Sequence, residues 1–468
     1  MATASPTFTG SNRALSRMVW TLIAGLVVLA AWVMGSMPLE IQSYVAFAGL
    51  TLVAGSLILP VAWRKDRTIS LKVLFLALAV FIIGALIRFL VTQMFYGGVS
   101  DARGYFTNGV SLAEDFRVGN YSALIPPYTD TNAINYAAGF LYTLIPPSML
   151  AGFVVFAGMA FIGSWHFYKA FRVSFPDGDR RLYAIFIFFL PSFWYWTTSL
   201  GKDAPMLMGL GVATYGFALM FRKLSAKAVA YVVVGLGVVS MVRSPLAAAL
   251  AVAGVAAFAL RPTRARTSHV QALAYLLLIP ILALGALTLI AKGRQFVGAT
   301  EGTSIQSVVA QAQQQDFDSD EGSNFSPASP FTPQGLALAL ITANFRPFPW
   351  EAGGLLPALQ SLEGVGILML FLLKFRAIGR VLRAWRRNAM TIMVLLSTVF
   401  ISIVLTSLAN FGLLARQRTQ VLPFLLMIPC MMVVQSLRPG PKPEEEQADR
   451  PVPAWASGSR SSLSRSAR

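Results

Sequence analysis

The chain has few of the residues that proteins use for cross-links and metal sites. Its single cysteine, Cys430, excludes a disulfide within the chain. Two histidines distant in sequence, with no cysteine cluster beside them, exclude an ordinary zinc site. Charge is scarce too, since 12% of the 468 residues are charged and 56% are hydrophobic. Such a chain cannot cover itself with a water-facing shell, so lipid is the expected solvent.

The dominant pattern is a succession of twelve apolar stretches, each long enough or nearly long enough to cross a bilayer. A hydrocarbon layer about 30 Å thick needs about 20 apolar residues per helix. Because the backbone in lipid must bond to itself, helices are expected and strands are not. The sequence therefore predicts an all-α polytopic membrane protein with about twelve transmembrane helices. The predicted spans are 18–37, 41–63, 70–95, 148–171, 182–199, 204–221, 226–242, 246–260, 269–291, 353–375, 388–409 and 420–437.

Two of these boundaries need comment. The first span follows Arg13 and Arg17 and is too long for a signal-peptide core, so it is interpreted as a retained signal anchor. The stretches 226–242 and 246–260 are short and flank Arg243-Ser244-Pro245. Both two full crossings and a re-entrant hairpin fit this pattern.

Basic residues fall mainly in alternate connectors, and this sets the predicted orientation. Cytoplasmic connectors carry the excess of Lys and Arg. With the N-terminus inside, the inner segments hold 28 of the 38 basic residues and the outer segments hold twelve of the twenty acidic ones. The prediction is a multi-pass plasma-membrane protein with both termini cytoplasmic. The net charge of +18 then reflects topology and attraction to anionic membrane lipids, and no soluble domain carries a nucleic-acid surface.

The predicted organisation has a cytoplasmic segment 1–17, a membrane domain 18–437 and a cytoplasmic tail 438–468. The tail cannot bury enough apolar surface to fold and is predicted to be disordered. The connectors that face the outer compartment are two long loops and three tight turns, at 96–147, 292–352, 200–203, 243–245 and 410–419. Residues 311 to 334 are acidic and rich in Gln, Ser and Pro, which is typical of a flexible lid or a disordered loop.

The first candidate site residue is Asp101, in the stretch GGVSDARGYF after the third span. If this stretch is helical, Asp101 and Tyr105 share a face. A carboxylate at the mouth of an apolar bundle is partly desolvated, which is expected to raise its basicity and suits a general base acting on a hydroxyl. Asp is also a good helix N-cap, so capping is the alternative role.

Five basic residues lie near the outer ends of the spans, although outer connectors usually carry few Lys and Arg residues. They are Lys202, Arg243, Arg346, Arg416 and Arg418. Guanidinium groups grip phosphate oxygens in a bidentate fork, so several of them on one side predict an anion site. Asp203, beside Lys202, and Glu351, near Arg346, are expected to support these cations. Lipid-headgroup contacts and an interfacial belt formed by the aromatic residues of PSFWYW remain the alternatives.

Two charges lie inside predicted spans. Arg88 is eight residues before Tyr96, and Glu363 is twelve residues after Glu351, so both are expected in the outer half of the membrane at similar depth. Because unpaired charges are costly there, a mutual ion pair or a water-filled cavity is expected. A pair that locks two helices and a supporting role in the site both remain open.

The stretch Ser100-Asp101-Ala102, followed by Tyr105, resembles the first-loop signature of the C-type glycosyltransferase superfold. These multi-span enzymes move sugars from or onto polyprenyl-phosphate lipids on the extracytoplasmic face. The stretches PSFWYWTTSLGKDA, NFRPFPWE and NFGLLARQR are similar to those of an uncharacterised bacterial membrane-protein family allied to such enzymes and to polysaccharide polymerases. By arrangement, the resemblance covers most of residues 70–430.

The resemblance implies that Asp101 acts as a base or a metal ligand. This chain has one acid there instead of a pair, so participation of a divalent metal stays open as the only cofactor question. It also lacks the large soluble C-terminal domain of oligosaccharyltransferases.

The expected function is transfer of a sugar from or onto a polyprenyl-phosphate-linked substrate in cell-envelope polysaccharide or glycolipid synthesis. The cations would hold the lipid phosphate, and Asp101, with Tyr105 beside it, would take the proton of a glycan or lipid acceptor. A polysaccharide polymerase or ligase that uses polyprenyl-diphosphate-linked glycans is the first alternative, favoured if the arginines act without a dedicated base. A secondary transporter is the second, and it predicts polar residues near the midplane and repeated halves.

Overall fold

The computed structural model describes residues 35–64, 69–260, 332–406 and 408–431, with isolated positions at 276, 280, 283, 287 and 325. Over these residues the chain forms α-helices and short 3₁₀ turns and no β-strand, so the all-α prediction is confirmed. Nearly all of the predicted spans 18–37 and 269–291 lies outside the described residues. So do the segments 1–17 and 438–468 and most of the stretch 311–334.

The described helices are numbered here in chain order. They are α1 Leu39–Arg64, α2 Leu71–Phe95, α3 Asp101–Arg117, α4 Thr131–Leu144, α5 Met149–Ser174, α6 Arg180–Phe189, α7 Pro191–Trp196, α8 Asp203–Arg222, α9 Ala226–Leu260, α10 Pro333–Phe345, α11 Leu355–Leu373, α12 Phe375–Arg383, α13 Ala389–Leu405, α14 Phe411–Gln417 and α15 Leu422–Cys430. Short 3₁₀ turns occupy Pro349–Glu351, Trp385–Arg387 and Arg418–Gln420.

Five of the described helices, α1, α2, α5, α8 and α9, are long and apolar enough to cross a membrane. The apolar stretches Pro357–Leu373 and Ala389–Leu405 are shorter. Large apolar side chains stay exposed along α1, among them Leu50, Leu57 and Ile58, as expected for a surface that faces lipid. These features support a membrane-embedded protein, while the total of twelve spans stays a prediction.

The predicted span 182–199 is two helices and not one. Leu190 has an extended backbone, and Pro191 is the first residue of α7. Proline has no N–H to continue the hydrogen-bond ladder of α6, and it disfavours helical geometry in the residue before it. The aromatic residues that follow Pro191 therefore form a separate six-residue helix.

The chain reverses direction within α9, at Arg243. The backbone of Arg243 is not helical, with φ −150° and ψ 90°, and Pro245 follows it. Before the break, Val232 packs at Gly216 of α8, and after it Phe258 contacts Phe221 of α8, with ring centroids 5.7 Å apart. A straight helix would carry Phe258 about 40 Å beyond Val232. The two halves of α9 are therefore antiparallel arms that meet at Arg243.

Helices α8 and α9 approach each other through glycines. A Cβ added at Gly235 of α9 would lie 2.3 Å from the backbone nitrogen of Ala213 in α8. One added at Gly209 would lie 2.8 Å from a methyl carbon of Val239. Small residues at such crossings let helix backbones pack closely where lipid provides no hydrophobic drive.

Gly235→Ala is expected to lower the free energy of unfolding by about 1 to 3 kcal/mol, because the added methyl group overpacks this crossing. Gly237→Ala is the matched control on the same helix, since nothing lies within 4 Å of its added carbon. Alanine there should leave stability unchanged or raise it by up to about 1 kcal/mol. Thermal unfolding of the purified variants in detergent compares them, and equal midpoints would contradict the close packing.

The predicted outer loop 96–147 is largely helical. Contacts between α3 and α4 run in the same order along both helices, from the side-chain hydrogen bond between Tyr105 and Thr131 to that from Arg117 to the carbonyl of Tyr142. The two helices are therefore parallel, and the connection between them returns along their length. The starts of α3 and α4 consequently lie side by side.

The two ends of the helix bundle differ in their contacts. At one end Glu40, in the first turn of α1, accepts hydrogen bonds from the Ser148 hydroxyl and from the N–H groups of Met149 and Leu150, which cap α5. At the other end, Asn388 donates to the carbonyl of Ser174. We call the end with Glu40 and the start of α5 the charged end, and the end with Asn388 and Ser174 the opposite end.

Candidate active site

Arg416 connects three elements at the charged end. Asn410 caps α14 by accepting hydrogen bonds from the N–H groups of Gly412 and Leu413, and Arg416 lies in the last turn of that helix. Its Nη1 lies 2.7 Å from Oδ2 of Asp101, the first residue of α3. Its Nε lies 2.5 Å from Oδ2 of Asp203, the first residue of α8. One guanidinium thus bridges two carboxylates more than a hundred residues apart in sequence.

The two carboxylates differ in their access to solvent. The side chain of Asp101 is 63% exposed, whereas that of Asp203 is 2% exposed. The second oxygen of Asp203, Oδ1, is buried and has no hydrogen-bond partner. Asp203 is therefore the buried anchor of Arg416, and Asp101 is the carboxylate that a molecule arriving from outside could reach.

The helix that begins at Asp101 places Tyr105 one turn later on the same side, as predicted. The N-cap position belongs to Ser100, so the expected capping alternative for Asp101 is wrong, and its carboxylate binds Arg416 instead. Burial and the charge of Asp101 raise the pKa of the Tyr105 phenol to about 12. Tyr105 is therefore a protonated, mostly buried neighbour of the carboxylate at neutral pH.

The expected rise in basicity at Asp101 is wrong. Burial alone would raise the pKa of its carboxyl, but the hydrogen bond and the positive charge of Arg416 outweigh burial, so the pKa lies below its ordinary value. Burial likewise would lower the pKa of Arg416, but the charges of Asp203 and Asp101 raise it. The pair is therefore fully ionised at neutral pH.

Lys202 is held by Asp130, a residue that the sequence analysis did not identify. The ammonium of Lys202 forms an ion pair with Oδ1 of Asp130. Asp130 has φ +61°, a conformation that costs energy for a residue other than glycine, and its N–H donates to the carbonyl of Met241 at 2.7 Å. The run Thr129-Asp130-Thr131-Asn132 before an apolar helix is a recognisable helix-start pattern and could have drawn attention to it.

Arg243 is the unpaired cation of this group. It lies at the reversal of α9, two residues after Met241, and its charge interacts with those of Asp203, Asp130 and Arg416. It is partly exposed. Within the described part of the chain its side chain forms no hydrogen bond and no ion pair, unlike those of Lys202 and Arg416.

Arg346 lies near the same end but in a separate setting. Its guanidinium binds Glu351, the carboxylate expected beside it, with Nε 2.9 Å from Oε1. It also packs over the rings of Phe325 and Phe411, with centroids 4.7 and 5.0 Å away. Burial raises the pKa of Glu351, but the hydrogen bonds from Arg346 and from the N–H of Phe348 lower it below its ordinary value. Through Phe411, Arg346 contacts α14, the helix that carries Arg416.

Arg418 does not face the site, and its expected phosphate-binding role is corrected. Its side chain is 0% exposed. Nη1 donates to the carbonyls of Arg346 and Asn344, at 3.2 and 3.4 Å, and Nη2 lies 3.7 Å from Oε1 of Glu363. Arg418 therefore ties α10 and α11 to the turn after α14 from within the protein.

The expected ion pair between Arg88 and Glu363 is absent from these described helices. Arg88 donates to the hydroxyl of Tyr195 at 3.0 Å and stacks on the rings of Tyr195 and Trp196. Glu363 accepts from the N–H and the hydroxyl of Ser192 and pairs with Arg418. Each charge thus has its own partners on α7. The break at Pro191 creates this short helix, which contacts both Arg88 and Glu363.

The structure therefore brings together Asp101, Tyr105, Lys202, Asp203, Arg243 and Arg416, with Asp130 added. Among the described residues, no group of three or more His, Cys, Asp or Glu side chains could hold a metal ion. Comparisons with protein-family models, curated proteins and solved structures find no match for this chain.

Proposed function

We propose that this chain is a membrane glycosyltransferase-like enzyme that transfers a sugar from or onto a polyprenyl-phosphate-linked substrate at the charged end. The observation that carries the proposal is Arg243. A partly exposed guanidinium without a bound partner, beside an exposed carboxylate and at the end of lipid-facing helices, suits the phosphate of a lipid whose chain stays in the membrane.

The proposed reaction is a displacement at the anomeric carbon of the donor sugar. The acceptor hydroxyl oxygen forms the new bond to that carbon, while the bond from the carbon to the phosphate oxygen breaks. Asp101 takes the hydroxyl proton, and the lipid phosphate leaves with the bonding electron pair. Arg243 and Lys202 stabilise the charge that develops on the phosphate.

The pair between Asp101 and Arg416 has a consequence for this reaction. While Arg416 binds Asp101, the carboxylate is a weak base, because its pKa lies below the ordinary value. A phosphate that draws the Arg416 guanidinium toward itself would remove that hydrogen bond and restore basicity. The same low basicity favours the second candidate, a polymerase or ligase that relies on the cations without a dedicated base.

Asp130 is a positioning residue in this proposal. Its carboxylate holds Lys202, and its N–H is bonded to Met241, two residues before Arg243. It therefore sets the separation of the two cations that would share the phosphate. Its unfavourable backbone conformation is consistent with a residue held by its surroundings for such a purpose.

Binding of a polyprenyl monophosphate to the purified protein tests the proposal. Arg243→Gln should weaken binding about 10- to 100-fold, because a hydrogen bond to a charged group contributes about 1.5 to 3 kcal/mol. Arg103→Gln is the matched control, since Arg103 is an exposed arginine in the first turns of α3 that loses the same charge. Binding that is absent in the natural protein, or weakened equally by both changes, would contradict a phosphate site at Arg243.

A further inference from the structure

A cavity at the opposite end of the bundle carries an excess of positive charge. It has a volume of about 320 Å³ and lies where α12 meets the end of α15 and the start of α6. Lys374, Arg376 and Arg380 line it, together with the single carboxylate of Asp179 and the buried Cys430. This cavity shares no residue with the site at the charged end.

The three cations have no anionic partner in the described structure. Within the described ranges, the side chains of Lys374, Arg376 and Arg380 form no hydrogen bond or ion pair, and the Arg376 guanidinium lies 5.6 Å from the centroid of the Phe375 ring. The nearby carboxylate is engaged elsewhere, since Oδ1 of Asp179 accepts the N–H of Leu182 and caps α6. Arg376 and Arg380 are four residues apart on α12 and so share a face. Two like charges on one face of a helix repel each other, and an anion bound between them would offset this repulsion.

The surface next to these cations is apolar and exposed. Leu372 is 58% exposed, Leu373 is 75% exposed, and Phe375 at the start of α12 is 61% exposed. Leu372 and Leu373 end the apolar helix α11, and Phe375 begins α12. A cationic cavity that opens beside exposed apolar side chains has the two surfaces that a lipid headgroup and its acyl chains require.

A neighbouring cavity shows that charge on this face is not uniform. It has a volume of about 190 Å³ and shares Met431 with the first, but its charged lining residues are Asp177 and Arg387. The one acidic and the one basic residue there have opposite charges, so this cavity offers little net attraction to an anion. Of these two cavities, the one beside α12 is the one with an excess of positive charge.

We propose that the cavity beside α12 binds the phosphate headgroup of an anionic membrane lipid. Lys374, Arg376 and Arg380 contact the phosphate, and the acyl chains lie along Leu372, Leu373 and Phe375. The site anchors α12 to the membrane leaflet at this end and does not depend on the proposed transfer reaction.

The test measures lipid binding to the full-length protein in detergent by native mass spectrometry, with phosphatidylglycerol against phosphatidylcholine. The double variant Arg376→Gln with Arg380→Gln should weaken phosphatidylglycerol binding about tenfold or more, because it removes two of the three positive charges that attract the anionic headgroup. Arg383→Gln with Arg386→Gln is the matched control. It removes two charges from the same segment, but neither residue lines the cavity.

The control pair should keep phosphatidylglycerol binding within about twofold of the natural protein, since neither of its side chains lines the cavity that holds the headgroup. Equal losses in the two double variants would show general attraction to the basic surface and would overturn the site. No preference for phosphatidylglycerol in the natural protein would do the same. Displacement of the lipid by millimolar inorganic phosphate would assign the cavity to free phosphate and overturn the lipid assignment.

Discussion

Asp101→Asn is expected to lower transfer activity about 100- to 10,000-fold, the range typical for loss of a general base. Asparagine keeps the size of the side chain, and its carbonyl oxygen can still accept the hydrogen bond from Arg416, but it cannot take a proton. The cost in stability should be small, about 1 kcal/mol or less, because the Asp101 carboxylate is 63% exposed. The substitution is therefore expected to lower activity strongly while it leaves stability almost unchanged.

The measurement is complementation of a deletion strain, scored by its extracellular polysaccharide or glycolipid, with protein abundance checked by blot. Glu114→Gln is the matched control, since Glu114 is an exposed acid on the same helix and loses the same charge. Full activity of Asp101→Asn at normal abundance would remove the base from the mechanism and favour the polymerase alternative. Complementation that fails in both variants would point to a general effect of charge on α3.

Arg416→Gln is expected to lower the free energy of unfolding by about 3 to 5 kcal/mol, because it leaves the buried Asp203 carboxylate without its ion-pair partner. Asp203 is 2% exposed and already has one oxygen without a partner, so solvent cannot replace the guanidinium. Asp203→Asn in the same chain removes the stranded charge. The double variant should therefore recover part of the lost stability.

Thermal unfolding in detergent and the folded yield from membranes measure this effect. Arg103→Gln is the control for loss of an exposed arginine at the same end, with an expected change within about 0.5 kcal/mol. Additive losses in the double variant would mean that Arg416 and Asp203 do not depend on each other. In that case the bridge from α8 through α14 to α3 would not hold the site together.

Several helices could be predicted closely from apolar length alone. The predicted spans 148–171 and 204–221 correspond to α5 and α8, and 353–375 and 388–409 correspond to α11 and α13 within a few residues. Apolar composition is enough to predict these four helices, because the backbone of a long apolar stretch in lipid must form helical hydrogen bonds. The prediction of 182–199 as one helix is wrong, because Pro191 breaks the stretch into two helices although its average composition is apolar.

The residues of the site were predicted better than their partners. Asp101, Lys202, Arg243 and Arg416 do gather at one end, as the positions of the outer connectors indicated. Arg418 belongs to the same outer connector as Arg416 and was grouped with it for that reason, but in the turn after α14 its side chain is buried in the core. The helix-start pattern at Asp130 is visible in the sequence, but its contact with Lys202 depends on the parallel arrangement of α3 and α4, which local sequence does not determine.

The sequence by itself determined that the protein is helical and built for lipid, and it marked the charged residues that break the apolar pattern. Those features follow from composition and spacing, which act over a single helix. Only the tertiary structure decided which charges meet: Arg416 with Asp101 and Asp203, Arg88 with Tyr195, and Glu363 with Arg418. The physical reason is that an ion pair depends on distances of a few ångströms between helices, set by the break at Pro191, the reversal at Arg243 and the packing of glycines.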